Sequence, residues 1–180
     1  GSTVVVTVMA NLGLRRGLAD HGITVHETDV GDRNILEALE SGGWSLGGEQ
    51  SGHLVFPELA TTGDGLLTGV QVLDATMRAG RAIGDIAAEL ASRTPQVLRS
   101  IPVSRSGTAV VAGVAELIDE EAVRLGPAGR VLVRPSGTEP VVRVMVEAVD
   151  TETAETVAER LCEAVRRADG VAETGAAEGS

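Results

Sequence analysis

The segment Val4-Val5-Val6-Thr7-Val8-Met9 decides the fold class, because nearly every residue in it is apolar or β-branched. Such a run is typical of a strand that is covered on both faces, as in α/β proteins. A helix is predicted after Asn11, which can cap its first turn, and Gly22 can end that helix before a second strand. Strands and helices go on alternating, which predicts a layered α/β domain over residues 3–93.

The order of predicted elements changes after residue 93. The later part of the chain is predicted to form a strand, one helix over residues 110–125, two further strands and a final helix. Only six residues connect the last two strands, so they are predicted to pair in an antiparallel sheet. We therefore expect a smaller α+β domain over residues 94–170, and a frayed tail over residues 171–180.

Composition and charge exclude several classes of protein. The formal net charge is −11 and aromatic residues make up 1 % of the chain, so nucleic acid is not expected as a partner. No apolar run approaches the roughly 20 residues that span a bilayer, so no membrane partner is expected. The single Cys162 rules out a disulfide within the chain and indicates a reducing compartment, and we expect a cytoplasmic protein.

The loop Arg134-Pro135-Ser136-Gly137-Thr138-Glu139-Pro140 has the composition of an anion site. Ser136 and Thr138 offer hydroxyl groups, and Gly137 lets backbone N–H groups approach a ligand closely. Arg134 lies at one end of the loop and Arg143 just beyond the other, and guanidinium groups bind phosphate through two hydrogen bonds. The loop therefore suits a phosphate group. An ordinary hairpin turn flanked by surface arginines is the alternative.

A second turn, Gly48-Glu49-Gln50-Ser51-Gly52-His53, brings together several polar groups. Glu49, Ser51 and His53 offer acceptors and donors that suit the hydroxyl groups of a sugar. The spacing Gly48 to Ser51 does not fit a nucleophile elbow. Metal binding through Glu49 and His53 would need a third ligand, and none is nearby. A purely structural turn is the alternative.

Three further assignments follow from local patterns. In Gly31-Asp32-Arg33, Asp32 is predicted to cap the helix that follows. Asp64 is predicted to cap a helix with an apolar face formed by Leu66, Val70, Leu73 and Met77, and Met77 is predicted to fill the core. The acidic run from Glu116 to Glu121 is predicted to be a solvated helix face.

Two motifs together resemble the α-D-phosphohexomutase superfamily, namely Gly47-Gly48-Glu49-Gln50-Ser51-Gly52-His53 and Arg134-Pro135-Ser136-Gly137-Thr138-Glu139-Pro140. Three further segments are similar to those of its bacterial phosphoglucosamine mutases, namely Thr7-Val8-Met9-Ala10-Asn11, Val30-Gly31-Asp32-Arg33 and Thr62-Gly63-Asp64-Gly65-Leu66-Leu67. Such enzymes have four domains and interconvert glucosamine 6-phosphate and glucosamine 1-phosphate, on the route to UDP-N-acetylglucosamine and the cell wall. The resemblance covers about residues 3–168 and implies the third and fourth domains.

The resemblance also implies roles for individual residues. Glu49 and Ser51 would hydrogen-bond sugar hydroxyls, with His53 beside them. The phosphate that is not transferred would be held by Arg134, Ser136, Gly137, Thr138 and Arg143. Gly31, Asp32 and Arg33 would line the substrate cleft less directly.

The reactive centre of such enzymes has no counterpart in the sequence. In this family the phosphoserine lies in the first domain and the Mg²⁺ loop of alternating aspartates in the second, and no Asp-x-Asp-x-Asp occurs here. The chain alone is therefore expected to be inactive and to bind no cofactor, whereas the full-length enzyme is expected to use Mg²⁺ and the missing N-terminal domains. A stand-alone phosphosugar-binding module and a piece of a phosphomannomutase or phosphoglucomutase are the alternatives.

Overall fold

The computed structural model describes residues 2–90 and 92–170, and these form two compact units that divide between Arg93 and Thr94. Each unit has its own sheet and its own hydrophobic core. The frayed tail predicted over residues 171–180 lies outside the described residues. Among the described residues, no helix combines the length and the apolar character that a transmembrane span requires.

The first unit alternates strands and helices, as the sequence predicts. Its strands are β1 (Thr3–Thr7), β2 (Thr24–Thr28), β3 (Gly47–Gly48) and β4 (Leu54–Val55), in the sheet order β2-β1-β3-β4. Strand β1 is parallel to β2 and β3, while β3 and β4 are antiparallel. Its helices are α1 (Leu12–Asp20), α2 (Asp32–Gly42), α3 (Gly65–Ala79) and α4 (Ile83–Leu90).

The core of the first unit lies between the sheet and α2. Ile35 and Leu39 of α2 are buried against Val5 and Val55 of the sheet. Gly47 makes this close approach possible, because a Cβ atom there would lie 2.7 Å from Cγ2 of Ile35. The sheet and α2 therefore fix both ends of the β3–β4 turn.

Helix α3 corrects one prediction from the sequence. Asp64 caps the helix as expected, since its carboxylate accepts hydrogen bonds from the N–H groups of Leu66 and Leu67 at 2.8 and 3.0 Å. The predicted apolar face is nevertheless exposed, and Met77, predicted to fill the core, is 80 % exposed. Helical spacing identifies an apolar stripe, but it does not say whether another element covers that stripe.

The second unit is an antiparallel sheet with helices packed on one face. Its strands are β5 (Gln96–Pro102), β6 (Arg130–Pro135) and β7 (Val141–Glu147), in the order β5-β7-β6. Both pairings are antiparallel, so the predicted pairing of the last two strands is confirmed. Its helices are α5 (Gly107–Ala112), α6 (Ala115–Leu125) and α7 (Thr151–Asp169), with a short 3₁₀ turn over Gly126–Ala128.

The single helix predicted over residues 110–125 is wrong, because the chain forms two helices there. Helix α5 ends at Ala112, and Val114 leaves helical geometry at φ −119° and ψ 10°. Val110 and Val114, on either side of this break, are both buried in the core with Val142, Val144 and Leu161.

The acidic run on α6 is also only partly solvated. Glu121 is fully buried, and its carboxylate accepts hydrogen bonds from Arg124 of the same helix and Arg160 of α7, at 3.0 and 3.1 Å. Its partner Arg160 is distant in sequence, so the charge pattern alone could not identify this contact. The prediction of a solvated face is therefore wrong for Glu121.

Hydrogen bonds of the Asp169 carboxylate connect the end of α7 to the segment after β5. Its Oδ2 accepts hydrogen bonds from the backbone N–H and the hydroxyl of Ser104, and its Oδ1 accepts one from the N–H of Arg105. These backbone hydrogen bonds favour the carboxylate form, so the pKa of Asp169 lies below its ordinary value. Protonation of Asp169 is thereby coupled to the stability of the second unit.

Replacing Asp169 with Asn is expected to reduce the sensitivity of the second unit to acid. Because the folded pKa is lowered, the carboxylate stabilises the fold fully above about pH 4, and this contribution is lost as pH falls below that value. Urea unfolding between pH 3 and pH 7 would measure the effect. The slope of stability against pH should decrease in D169N and not in D119N, in which an exposed aspartate of α6 is replaced. Equal slopes in the two variants would contradict the assignment.

Candidate functional site

The β3–β4 turn of the first unit is held in a defined conformation. Glu49 donates its backbone N–H to the carbonyl of His53 at 2.9 Å, and Gly52 adopts φ +90°, which favours glycine. The Glu49 side chain accepts a hydrogen bond from the N–H of Gly31 at 3.0 Å. Ser51 is exposed at the tip of the turn. The side chain of Glu49 thus connects the turn to the start of α2.

A second contact joins the same two segments. Nδ1 of His53 lies 3.3 Å from Oδ2 of Asp32, and the His53 side chain is one-third exposed. Asp32 is therefore not the helix cap that the sequence predicts: the cap position is Gly31, and the Asp32 carboxylate faces His53 instead. The structure brings Gly31, Asp32, Glu49 and His53 together. Arg33 is outside this cluster, because its side chain is 89 % exposed and pairs with Glu37.

Gly63 also belongs to this cluster, although its place in the sequence predicts no contact with His53. A Cβ atom at Gly63 would lie 1.6 Å from Nε2 of His53, so the imidazole ring occupies the space that any side chain at position 63 would need. The motif Thr62-Gly63-Asp64 thus combines two functions, the packing of the His53 ring and the capping of α3 by Asp64.

Replacing Gly63 with Ala is expected to displace the His53 ring and break its contact with Asp32. The reason is steric, since no Cβ atom fits 1.6 Å from Nε2. The imidazole resonances of His53 in a ¹H–¹³C NMR spectrum report the change. Gly65→Ala is the matched control, because a Cβ atom at Gly65 would meet no atom within 4 Å. Unchanged His53 resonances in G63A would show that the packing is wrong.

The candidate anion loop of the second unit joins β6 to β7. Ser136 donates its N–H to the carbonyl of Val141 at 2.9 Å, and Val141 donates its own to the carbonyl of Glu139 at 2.8 Å. Gly137 and Thr138 are exposed at the tip, while Ser136 is half-buried at the base. The N–H groups of Ser136 and Val141 are therefore used within the hairpin, while the Gly137–Thr138 tip is open to solvent.

Strand register places the two arginines of this loop opposite each other. Arg134 of β6 pairs with Arg143 of β7, and both lie on the sheet face opposite the packed helices, away from Val142 and Val144. Like charges directly opposite in a sheet are destabilising. The strand pairing fixes the Cα positions of both arginines at the end of the hairpin, where an anion that contacts both side chains would reduce such repulsion.

The same sheet face carries an opposite-charge pair farther along the hairpin. Arg130 of β6 pairs in register with Glu147 of β7, and the Nη2–Oε2 distance is 2.8 Å. Glu147 is fully buried and the Arg130 side chain is 18 % exposed. This pair anchors the far end of the hairpin, which keeps the register that places Arg134 opposite Arg143.

One contact of the loop was not identified in the sequence analysis. Oε2 of Glu139 lies 2.9 Å from Nη2 of Arg143. Glu139 belongs to the predicted loop and Arg143 lies just beyond it. A spacing of four residues has no defined meaning outside a helix, so the sequence does not predict this pair.

The described residues do not fit a metal ion. Residues 2–90 and 92–170 contain no group of three or more His, Cys, Asp or Glu side chains that could hold one. His53 and Asp32, with Glu49 nearby, form a cluster joined to α2 rather than a set of converging metal ligands. No step of a reaction is therefore assigned to a metal on this chain.

Comparison with known families identifies the class of protein that these two units define. Residues 1–94 match the family of phosphoglucomutase/phosphomannomutase, alpha/beta/alpha domain III, and residues 97–164 match its C-terminal domain. The chain therefore belongs to the phosphoglucomutase/phosphomannomutase family, which confirms the resemblance seen in the sequence.

Individual relatives are more specific. The chain is 52 % identical over 169 residues to a phosphoglucosamine mutase of Kineococcus radiotolerans, and 53 % identical over 171 residues to that of Salinispora tropica. These alignments cover 92 % and 94 % of the chain but only 36 % and 38 % of the relatives. The chain thus spans little more than a third of the length of the curated relatives it matches.

Solved structures share the fold. An N-acetylphosphoglucosamine mutase variant of Aspergillus fumigatus, in complex with glucose 1,6-bisphosphate, matches with a TM-score of 0.74 at 21 % identity, over 93 % of this chain and 38 % of that one. An N-acetylglucosamine-phosphate mutase in a substrate complex matches with a TM-score of 0.76 at 23 % identity, over 92 % and 38 %. The fold class predicted from the sequence is confirmed.

Proposed function

We propose that the chain is the substrate-binding part of a phosphoglucosamine mutase, which interconverts glucosamine 6-phosphate and glucosamine 1-phosphate for the synthesis of UDP-N-acetylglucosamine and the cell wall. The observation that carries this proposal is the register of Arg134 opposite Arg143 at the end of a hairpin. The identity of about 50 % to enzymes of that name supports the choice of substrate.

The hairpin end holds the phosphate that is not transferred. Arg134 and Arg143 supply the positive charge, Ser136 and Thr138 supply hydroxyl donors, and Gly137 leaves the backbone N–H groups accessible. A hydrogen bond to a charged group contributes about 1.5–3 kcal/mol, so loss of one arginine should weaken binding about ten- to a hundred-fold.

The turn of the first unit binds the sugar. Glu49 accepts hydrogen bonds from ring hydroxyls, and the Ser51 hydroxyl both accepts and donates them, with the His53 imidazole beside these two residues. Gly31, Asp32 and Arg33 act less directly, and in this proposal Gly31 and Asp32 orient the Glu49 and His53 side chains through the contacts described above. Binding of the ring together with one phosphate orients the substrate, and orientation removes entropy from the reaction barrier.

The chemistry itself needs groups that these residues do not supply. Phosphoryl transfer requires a nucleophile and a cation that offsets the developing charge. We assign these to the N-terminal domains of a longer protein, together with the Mg²⁺ that a related Aspergillus fumigatus structure contains. We also assign the sugar-binding and phosphate-binding roles to domains at residues 3–93 and 94–170, and the activity to the cytoplasm.

Titration of the 180-residue chain with inorganic phosphate tests the phosphate site. The backbone N–H resonances of Ser136, Gly137 and Thr138 should shift as phosphate is added, and Arg143→Ala should weaken the response about ten- to a hundred-fold. Arg167→Ala is the control, because it removes an equal charge from an exposed position on α7. Equal responses in both variants would overturn the site.

A mutase assay tests whether the chain can catalyse the reaction by itself. The chain alone is expected to give no turnover of glucosamine 6-phosphate, because it lacks the nucleophile. Measurable turnover would contradict the assignment of the chemistry to other domains.

A further inference from the structure

The candidate phosphate loop contains an anion of its own. Glu139 lies between Thr138 and Pro140, and its Oε2 atom is 2.9 Å from Nη2 of Arg143. The Glu139 side chain is 59 % exposed, whereas the Arg143 side chain is 34 % exposed. Arg143 is therefore already engaged by a carboxylate.

This carboxylate changes the charge that a ligand meets. Arg134 and Arg143 together carry two positive charges, and Glu139 reduces their sum by one. A phosphate dianion that approaches Arg143 competes with Glu139 for the same guanidinium, and it is also repelled by the carboxylate at short range. Both effects lower the affinity of the loop for phosphate.

Glu139 is not needed to hold Arg143 in place. Arg143 belongs to the central strand β7, which pairs with β5 on one side and β6 on the other. Its Nε atom is buried and has no hydrogen-bond partner within the described part of the chain, so the stem of the side chain is fixed by packing. An ion pair with an exposed carboxylate contributes little stability. Glu139 can therefore be displaced at low cost while the guanidinium stays in position.

We propose that Glu139 is an internal competitor of phosphate, which occupies Arg143 in the empty loop and weakens the binding of phosphate dianions. The proposal rests on the phosphate-binding role of the loop.

Glu139→Gln tests the proposal, because the amide keeps the shape of the side chain and removes its charge. Inorganic phosphate is titrated into the full chain, and binding is followed by the N–H resonances of Ser136, Gly137 and Thr138. We expect E139Q to bind phosphate about three- to ten-fold more tightly than the unchanged chain, with a steeper dependence on salt.

Glu163→Gln is the matched control. Glu163 is also a partly exposed glutamate four residues from an arginine, and it lies on α7, where it pairs with Arg167 at 3.8 Å. E163Q changes the net charge of the chain by the same amount, so the affinity for phosphate should change by less than about two-fold. An equal gain in E163Q and E139Q would mean that only net charge matters, and would overturn the proposal.

The outcomes separate this inference from the function on which it rests. If Arg143→Ala abolishes the phosphate response and E139Q binds no more tightly than the unchanged chain, Glu139 is not a competitor, although the loop is a phosphate site. If neither the unchanged chain nor E139Q responds to phosphate, the phosphate site and this inference both fail.

Discussion

Replacing Arg130 with Met is expected to lower the free energy of unfolding of the second unit by about 3–5 kcal/mol. The change leaves the Glu147 carboxylate fully buried without the guanidinium that lies 2.8 Å from it. A buried charge that loses its partner keeps its desolvation penalty and loses the attraction that offset it. The pair Arg130–Glu147 and the pair Arg134–Arg143 belong to the same β6–β7 ladder. Loss of the first pair should therefore also weaken the response of the hairpin loop to inorganic phosphate.

Two further variants isolate the cause. In the double variant Arg130→Met and Glu147→Met, both charges are replaced by apolar side chains, and most of the lost stability should return. Arg167→Met removes an exposed arginine that is 3.8 Å from its partner, and should change stability by less than about 0.5 kcal/mol. If the double variant is no more stable than R130M, the loss does not come from an uncompensated charge.

The unfolding of the two units in urea can be followed with separate probes. The only tryptophan of the chain, Trp44, belongs to the first unit and packs against its core. Tryptophan fluorescence in urea therefore reports the first unit, while NMR resonances of β7 report the second. R130M should shift the second transition to lower urea and leave the fluorescence transition unchanged.

Replacing Leu39 with Ala is expected to destabilise the first unit by about 2–5 kcal/mol. Leu39 is 1 % exposed and belongs to the small cluster that joins α2 to the sheet. Its truncation removes apolar contacts and leaves a cavity beside Ile35 and Val55. The start of α2 orients Glu49 and His53, so the loss of this packing should also loosen the β3–β4 turn.

Leu73→Ala provides the comparison for the same chemical change. Leu73 lies on α3 and is 64 % exposed, so its truncation should cost no more than about 0.5–1 kcal/mol. Trp44 fluorescence measures both variants. A loss at Leu73 as large as that at Leu39 would show that the face of α3 is covered, contrary to the structure.

The order of elements could be predicted largely from the sequence, because it depends on local patterns. The β-branched run at Val4–Met9 lies over β1, the short connection at Pro135–Pro140 forms a hairpin, and Asp64 caps α3. The break between α5 and α6 could not be predicted, because Gly113 within an apolar pattern is compatible with a continuous helix. Val110 and Val114 lie on either side of the break, and both are buried in the core of the second unit.

The candidate site, too, could be predicted from the sequence only in part. The alternation in β7 predicts that Arg143 lies on the other sheet face from Val142 and Val144, and the short loop predicts that β6 and β7 pair. The register that places Arg134 across from Arg143 is known only from the folded chain. The contacts between Asp32 and His53 and between Glu139 and Arg143 depend on side chains that meet only in the folded chain. Local propensity does not predict such long-range contacts. For that reason Asp32 is predicted to be a helix cap, and no contact is predicted for Glu139.

The pairing of Arg134 with Arg143 has a mechanical consequence. Both residues belong to one hydrogen-bonded hairpin, anchored in the core through Val142 and Val144. Any displacement of that hairpin therefore moves the Cα atoms of both arginines together. The backbone sets the separation of these two Cα atoms, while each guanidinium can still adjust through the rotamers of its own side chain.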